Sequence, residues 1–354
     1  MVSFDLHDQK AGFVPSAVCL VGTWILMAST GLLIAEVTCN IRRRNTPANQ
    51  EEAVSVKSDF GLITMTNQLL GNYGSFPAAC MYVFIHYSLL IAYIAESGEI
   101  IGKATNMGGA WGCVAFTSIM GGCVALAPSK WVELLNNAFF LVVVVSFLSL
   151  VAVQAEHMQI GNLGYHNYGA VAPIIPILLV ALVYHNVVPT VCMQLDYHRN
   201  SIIGSVLLGS FIPLVMFLLW NAVVLGGIPD YQRLAESGAV VDPLELLRSN
   251  SPLIGRQLTE GLISVFSESA IVTSFIGFVI GLMEFYSDLF PSRSRSDLGL
   301  YALVLVPSAV VAIADPSIFL DALDAAGTYG ISLLFGILPA LLALALRYCW
   351  EAYS

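Results

Sequence analysis

A histidine and an asparagine stand beside a proline inside an apolar run, in the segment 181–196, ALVYHNVVPTVCMQLD. Pro189 has no backbone donor and clashes with the carbonyl of His185, so a helix is expected to unwind there. The freed backbone groups, together with the side chains of His185 and Asn186, could hold the ammonium and carboxylate of a small zwitterion. The alternative is a simple proline kink in which His185 packs against a neighbouring helix.

A second set of polar side chains lies on one face of another apolar run. Tyr82, His86 and Tyr93 are spaced i, i+4 and i+11, which puts them on the same side of a helix. A histidine changes charge near physiological pH, so this face predicts a cavity wall or a proton-titrating position. A hydrogen-bonded packing histidine is the alternative.

A serine stripe marks a third apolar run. Glu260, Ser264, Ser267 and Ser274 follow helical steps along one side. Such stripes usually bond neighbouring membrane helices, and an ion or substrate path is the sharper interpretation. Glu268 lies in the same run and needs a partner if it lies deep in the membrane.

The elements that hold these residues are membrane helices. The 354 residues are 57% hydrophobic and 11% charged, whereas an average soluble chain has about 25% charged residues. A spanning helix needs about 20 apolar residues. On this criterion the sequence predicts an all-α, multi-pass protein that crosses the lipid bilayer about nine times, at residues 14–37, 76–95, 108–127, 131–154, 171–193, 202–226, 262–287, 299–314 and 318–346.

Charge sets the expected orientation and excludes some functions. Nine of the Lys and Arg residues fall in segments on one side, led by Arg42, Arg43 and Arg44, so the C-terminus is predicted to be inside and the N-terminus outside. The segment 227–258 is then an outer loop. A formal charge of −10 argues against a nucleic acid partner. The seven cysteines show no C-x-x-C spacing and lie in or beside the apolar runs, so neither a disulfide framework nor a zinc site is predicted. We expect no metal and no cofactor.

Several stretches together resemble a known family. Tyr184 to Thr190, YHNVVPT, is similar to the mid-membrane motif of the aromatic amino acid permeases, the tryptophan/tyrosine-specific transporters of the amino acid/polyamine transporter superfamily. Four further stretches resemble that family in the same order along the chain: AGFVPSAV…TGLLIAEV from Ala11, FIHYSLLIAYIAESGE from Phe84, AIVTSFIGFVIGLMEFYSDL from Ala270, and AAGTYGISLLFGILP from Ala325.

The resemblance implies a fold, a site and an activity. The fold would be a single integral membrane domain, a helical bundle of the leucine-transporter type with inverted repeats, in which 11–154 is the remainder of the first repeat and 171–346 is the second. The activity would be secondary active transport of an amino acid, such as tyrosine or tryptophan, in symport with H⁺ and without enzymatic chemistry. The residues that the resemblance places around the substrate are Tyr184, His185, Asn186, Pro189, Thr190, His86, Tyr93 and Ser274.

The sequence departs from the family pattern at both ends. The Gly-rich broken helix that opens the family is not found before Ala11, and the last family helix is not found after Arg347, so we expect an incomplete bundle that does not transport by itself. A non-transporting homologue that acts as a sensor or partner subunit is a second interpretation. A membrane haem protein with His86 and His185 as axial ligands is a third. A bacterial inner membrane and a plastid envelope both fit the sequence.

Overall fold

Long apolar helices make up the molecule. The computed structural model describes residues 10–45, 61–156, 158–228, 233, 253–290, 297–315 and 318–351, and this part of the chain contains helices and no strand. Eight of its helical segments are long and apolar enough to cross a membrane. The protein is therefore a multi-pass helical membrane protein, as the composition predicted.

The main helices follow one another along the chain. They are α1 (Phe13–Asn45), α2 (Leu62–Thr105), α3 (Gly109–Phe116), α4 (Gly122–Leu126), α5 (Ser129–Ala155), α6 (Ile175–Ala181), α7 (Val188–Gln194), α8 (Arg199–Gly227), α9 (Leu253–Leu289), α10 (Leu298–Ala314), α11 (Phe319–Ala325) and α12 (Leu338–Glu351). A π-helical turn at Thr117–Gly121 joins α3 to α4, and a longer π-helix at Ala326–Ile337 joins α11 to α12.

The predicted spans correspond to these helices, with two differences. The segment predicted at 299–314 is an apolar helix of 17 residues, α10, which is shorter than the eight full-length spans. The second span was predicted at 76–95, but α2 covers 44 residues and is interrupted at Gly71, whose φ is 62° and ψ is −162°. Hydropathy missed the first half of α2 because Asn67, Gln68 and Asn72 make it less apolar.

Parts of two predicted loops lie outside the described residues. They are 46–60 of the inner segment, and 229–232 and 234–252 of the outer segment 227–258. The last residues of that outer segment begin α9, at Leu253.

The helices form two compact units, and each unit draws on separate stretches of the chain. Unit 1 contains Met1–Ser16, Val83–Ile174 and Leu219–Ala326, while unit 2 contains Ala17–Tyr82, Ile175–Leu218 and Gly327–Ser354. The broken segment at His185 belongs to unit 2. The polar face of α9 that the sequence singled out belongs to unit 1, as do His86 and Tyr93 of α2, whereas Tyr82 of α2 belongs to unit 2.

Unit 1 has a core of aromatic rings between α9 and its neighbours. Phe275 meets Phe116 edge to face with ring centroids 5.0 Å apart, and Phe266 contacts Phe147 and Trp220. The end of α2 packs closely on α3 at a small residue. A Cβ at Gly98 would overlap the Cys113 side chain, so a larger residue would not fit there. Close helix contacts of this kind are typical of membrane proteins, where small residues let backbones approach.

Unit 2 packs α1 against α8 and against the broken segment. The indole Nε1 of Trp24 donates to Ser210 Oγ at 3.1 Å, and its ring meets Phe211 with centroids 5.8 Å apart. The Oγ1 of Thr38 lies 3.3 Å from the sulfur of Met65, which ties the first half of α2 to α1. These contacts hold α1 in place beside the break.

Candidate functional site: a broken helix

The apolar segment that contains α6 and α7 is interrupted between these two helices, as the sequence predicted. α6 ends at Ala181, the backbone of Tyr184 is non-helical (φ −146°, ψ 6°), and a single 3₁₀ turn at His185–Val187 leads into α7. Pro189 occupies the first turn of α7, where its missing N–H costs nothing. The first N–H groups of the 3₁₀ turn have no acceptor within the helix, which leaves donors available at the break.

His185 is fixed in place by contacts on three sides. Its side chain is 1% exposed, and its Nε2 lies 2.8 Å from the hydroxyl of Thr30 on α1. The ring stacks between Tyr184 and Phe335, with both centroid distances at 5.0 Å. Each of these contacts is within unit 2.

The Thr30 hydroxyl has three acceptors within reach. It lies 3.1 Å from the carbonyl oxygen of Leu26, 3.2 Å from that of Met27 and 2.8 Å from Nε2 of His185. Its single proton serves one of them, and its oxygen can accept a proton from Nε2 of His185 in turn. Among the described residues, Nδ1 of His185 is buried and has no hydrogen-bond partner. An unpaired buried polar atom of this kind costs free energy and calls for a functional explanation.

Tyr184 lies against α1 at a point where only glycine fits. Its hydroxyl donates to the carbonyl of Met27 at 3.1 Å. A Cβ at Gly31 would lie 2.5 Å from the same hydroxyl oxygen. Gly31 therefore allows the phenol ring to approach α1, and this contact positions the residue directly before His185.

The other residues predicted at the break are more exposed than His185. Asn186 and Thr190 are exposed, and Pro189 is half-buried. Of the predicted substrate contacts at the break, His185 is thus buried and Tyr184 is half-buried, like Pro189.

The π-helix at Ala326–Ile337 supports both halves of the broken segment. It carries Phe335, which stacks on His185. At its other end a Cβ on Gly327 would overlap the carbonyl oxygen of Pro176, the second residue of α6. π-helical turns occur frequently at functional sites, because they shift side chains out of the regular helical register.

A cavity of about 250 Å³ adjoins the break within unit 2. Most of its walls are apolar, and the polar side chains are Tyr184, Ser205 and Ser210. Its lining residues come from the break and from α8: Ala181, Leu182, Val183, Tyr184, Val187, Val188, Val191, Ser205, Val206, Gly209, Ser210 and Pro213.

Three of the predicted site residues lie in unit 1. His86 is 1% exposed, and its ring meets Phe278 edge to face at 5.0 Å. Tyr93 contacts the same ring at 5.8 Å, and its hydroxyl lies within hydrogen-bonding reach of Ser274. The structure therefore brings His86, Tyr93 and Ser274 together around Phe278.

Glu268 has the partner that its depth requires. The hydroxyl of Ser97, which is fully buried on α2, donates to Oε1 of Glu268 at 2.6 Å. Among the described residues, Oε2 of Glu268 is buried without a hydrogen-bond partner, and Glu96 acts on the carboxyl electrostatically. Glu268 lies about 15 Å along the helix axis from Leu258, where the apolar span of α9 begins. This carboxyl is thus close to the middle of a membrane helix.

Sequence reasoning missed the residues that hold the site in place. Thr30, Phe335 and Ser97 are far in sequence from the side chains they contact, and each looks like an ordinary residue of an apolar helix. Gly31 and Gly327 gave no signal either, because a close approach of backbones appears only when the helices are packed.

Comparison with known proteins identifies the family. The model of the tryptophan/tyrosine permease family matches residues 1–353. The chain is 28% identical over 369 residues to the low affinity tryptophan permease of Escherichia coli O157:H7, covering 98% of this chain and 83% of that protein. It is 24% identical over 338 residues to tyrosine-specific transport system 1 of Haemophilus influenzae, covering 92% of this chain and 80% of that protein.

Proposed function

The chain belongs to the tryptophan/tyrosine permease family, which is a family of membrane transporters and not of enzymes, and we propose that it carries tyrosine or tryptophan across its membrane. The aromatic substrate class follows from the family, and the single observation that supports a substrate site most directly is the interrupted helix at Tyr184 to Pro189. Irregular backbone at membrane depth is tolerated where it is covered by protein or lines a cavity, and such breaks bind substrate in transporters.

We propose different roles for the residues at the break. Asn186 and Thr190 are exposed and can contact the ammonium and carboxylate groups directly, together with the N–H groups that begin the 3₁₀ turn, before that of Val187, which donates to the carbonyl of Tyr184. Tyr184 and His185 are held against α1 and fix the shape of the turn. Pro189 keeps the turn from closing into a regular helix.

The polar face in unit 1 contributes the remaining residues that we propose to bind substrate. His86, Tyr93 and Ser274 surround Phe278, and an aromatic surface with a few placed polar groups suits an aromatic side chain that carries a hydroxyl or an indole N–H. We propose that the whole chain adopts the leucine-transporter type of inverted-repeat fold.

The coupling ion that we propose is H⁺, taken up by Glu268. A carboxyl in the middle of a membrane helix is costly when it is charged, so it is a natural proton carrier. The bond from Ser97 satisfies one of its oxygens, and the other oxygen, Oε2, can carry the proton.

Binding and uptake assays test the proposed function. The purified chain should bind labelled tyrosine or tryptophan, and the other of the two should displace it, whereas lysine and aspartate should not. Equal displacement by all four amino acids would contradict the aromatic assignment. Uptake into proteoliposomes then separates a transporter from the alternative of a sensor or partner subunit, which would bind without uptake.

A further inference from the structure

A groove in unit 2 runs between α1 and α8 and widens towards the end where α1 finishes. The two helices touch at Trp24 and Ser210, and the groove opens between residues 32–43 of α1 and 197–203 of the following turn and helix. It forms a cavity of about 770 Å³, separate from the cavity at the break.

The chemistry of the groove changes along its length. One end is lined by Leu32, Leu33, Ile202 and Ile203, and the other end is lined by arginines. These arginines are Arg42, Arg43 and Arg199, and the one acid that lines the groove, Glu36, lies 3.6 Å from Arg347. The groove is therefore apolar towards the membrane interior and positively charged towards the end of the helices.

The turn between α7 and α8 holds one side of the charged end. Asp196 and Tyr197 both have positive φ values, 49° and 59°, which is uncommon for residues other than glycine. This conformation places the Tyr197 ring 5.8 Å from the guanidinium carbon of Arg42. Burial raises the pKa of the Tyr197 hydroxyl, so the ring is a neutral surface for the arginine. A planar guanidinium held in this way is well suited to bind the oxygens of a phosphate group.

We propose that this groove binds an anionic phospholipid, with its phosphate on Arg42, Arg43 and Arg199 and an acyl chain along Leu32, Leu33, Ile202 and Ile203. A free phosphate ion would use the arginines but would gain nothing from the apolar end. A phospholipid matches both ends of the groove, because its phosphate suits the arginines and its acyl chain suits the apolar residues. Basic pockets between membrane helices bind acidic lipid head groups through the same electrostatic attraction. The positive charge also lies at the helix ends that the sequence predicts to face the inside.

The test is lipid binding to the full chain in nanodiscs, measured by native mass spectrometry and by thermal unfolding with increasing phosphatidylglycerol in phosphatidylcholine. The unmodified chain should retain phosphatidylglycerol selectively. The double variant R43Q/R199Q should lose about 10-fold or more of that selectivity, because each arginine contributes to the attraction of an anionic head group. The matched control R44Q removes the neighbouring charge on α1, which does not line the groove, and should change selectivity less than about 2-fold.

Two further measurements distinguish a lipid site from a site for free phosphate and test the apolar end of the groove. Inorganic phosphate added to phosphatidylcholine nanodiscs should not stabilise the chain, and saturable stabilisation by phosphate would show an ion site instead of a lipid site. I203W fills the apolar end and should reduce lipid retention while all three arginines remain. Equal retention by the unmodified chain, R43Q/R199Q and R44Q would overturn the proposal. Retained binding of labelled tyrosine or tryptophan by each variant shows that it is folded, and a variant that loses it is replaced by the single changes R43Q and R199Q.

Discussion

His185 is the residue on which the proposed substrate site depends most. His185→Ala removes the hydrogen bond to Thr30 and the ring between Tyr184 and Phe335, so the turn should lose its shape. We expect substrate affinity to fall by about 10-fold or more, since a hydrogen bond and a buried ring each contribute about 1 kcal/mol or more. Equilibrium binding of labelled tyrosine or tryptophan measures the change.

The control for this prediction is another histidine of the chain. His166 is exposed and its Nδ1 lies 3.0 Å from the carbonyl of Gly164, outside the helices. His166→Ala should leave affinity within about 2-fold, as is usual for surface changes. Thr30→Val keeps the volume and removes only the hydroxyl, so it should weaken binding in the same direction as His185→Ala but less. Equal losses at His166 and His185 would mean that His185 has no special role.

Glu268 gives a prediction about coupling that is independent of substrate affinity. Glu268→Gln keeps a hydrogen-bond acceptor for Ser97 but cannot bind and release a proton. We expect exchange of labelled for unlabelled substrate to continue in proteoliposomes, while accumulation driven by a pH gradient is lost. Exchange in this variant shows that transport itself is intact.

The control carboxylate is Glu133, which is exposed near the start of α5. Glu133→Gln should retain both exchange and accumulation driven by the pH gradient. Accumulation by Glu268→Gln at the level of the unmodified chain would exclude Glu268 as the proton carrier and would leave the substrate assignment untouched.

The helix break could be predicted from sequence because its cause is local. Pro189 disrupts the helix within one turn, and His185 and Asn186 stand out in an apolar run. The support for the break is not local: Thr30 lies 155 residues from His185, and Phe335 comes from the other end of the chain. Pairs of this kind depend on how helices pack in three dimensions, and one sequence does not show which apolar helices are neighbours.

The π-helix at Ala326–Ile337 is an element that hydropathy could not distinguish from a regular helix. The apolar run at 318–346 predicted a span, and the structure confirms one from Phe319 to Tyr348. The change to wider turns depends on the packing of Gly327 on Pro176 and of Phe335 on His185. The same limitation affected α2, whose break at Gly71 has no counterpart in the hydropathy pattern.

The contact of the π-helix with α6 gives a prediction for the element as a whole. Gly327→Ala places a methyl group against the backbone of Pro176, which cannot move as a side chain can. The first half of the broken helix should shift, and we expect substrate affinity to fall by about 10-fold, because small displacements in a site are costly. Gly336→Ala in the same π-helix has open space at that position and is the matched control. If both variants bind substrate like the unmodified chain, the contact does not position the break.

The distribution of charge predicts how the whole molecule lies in the membrane. Nine Lys and Arg residues fall on the side predicted to be inside, and the outer segments hold five, three of which lie in the long segment 227–258. Short inner loops rich in Lys and Arg resist translocation, so they set the orientation. The orientation, with the N-terminus outside and the C-terminus inside, stays a prediction.

Labelling of single cysteines measures that direction. Ser129 and Asn167 are exposed at the two ends of the segment that contains α5, so each can carry a single cysteine in a background without the native ones. A membrane-impermeant maleimide applied to intact cells should label Asn167→Cys, on the predicted outer side, and should label Ser129→Cys only after the membrane is opened. Labelling of Ser129→Cys alone in intact cells would invert the orientation. It would also place the arginine end of the α1–α8 groove outside, so the anionic lipid would then have to come from the outer leaflet. Labelling of both positions in intact cells would show that α5 does not span the membrane, although Ser129–Ala155 is one of the most apolar helices of the chain.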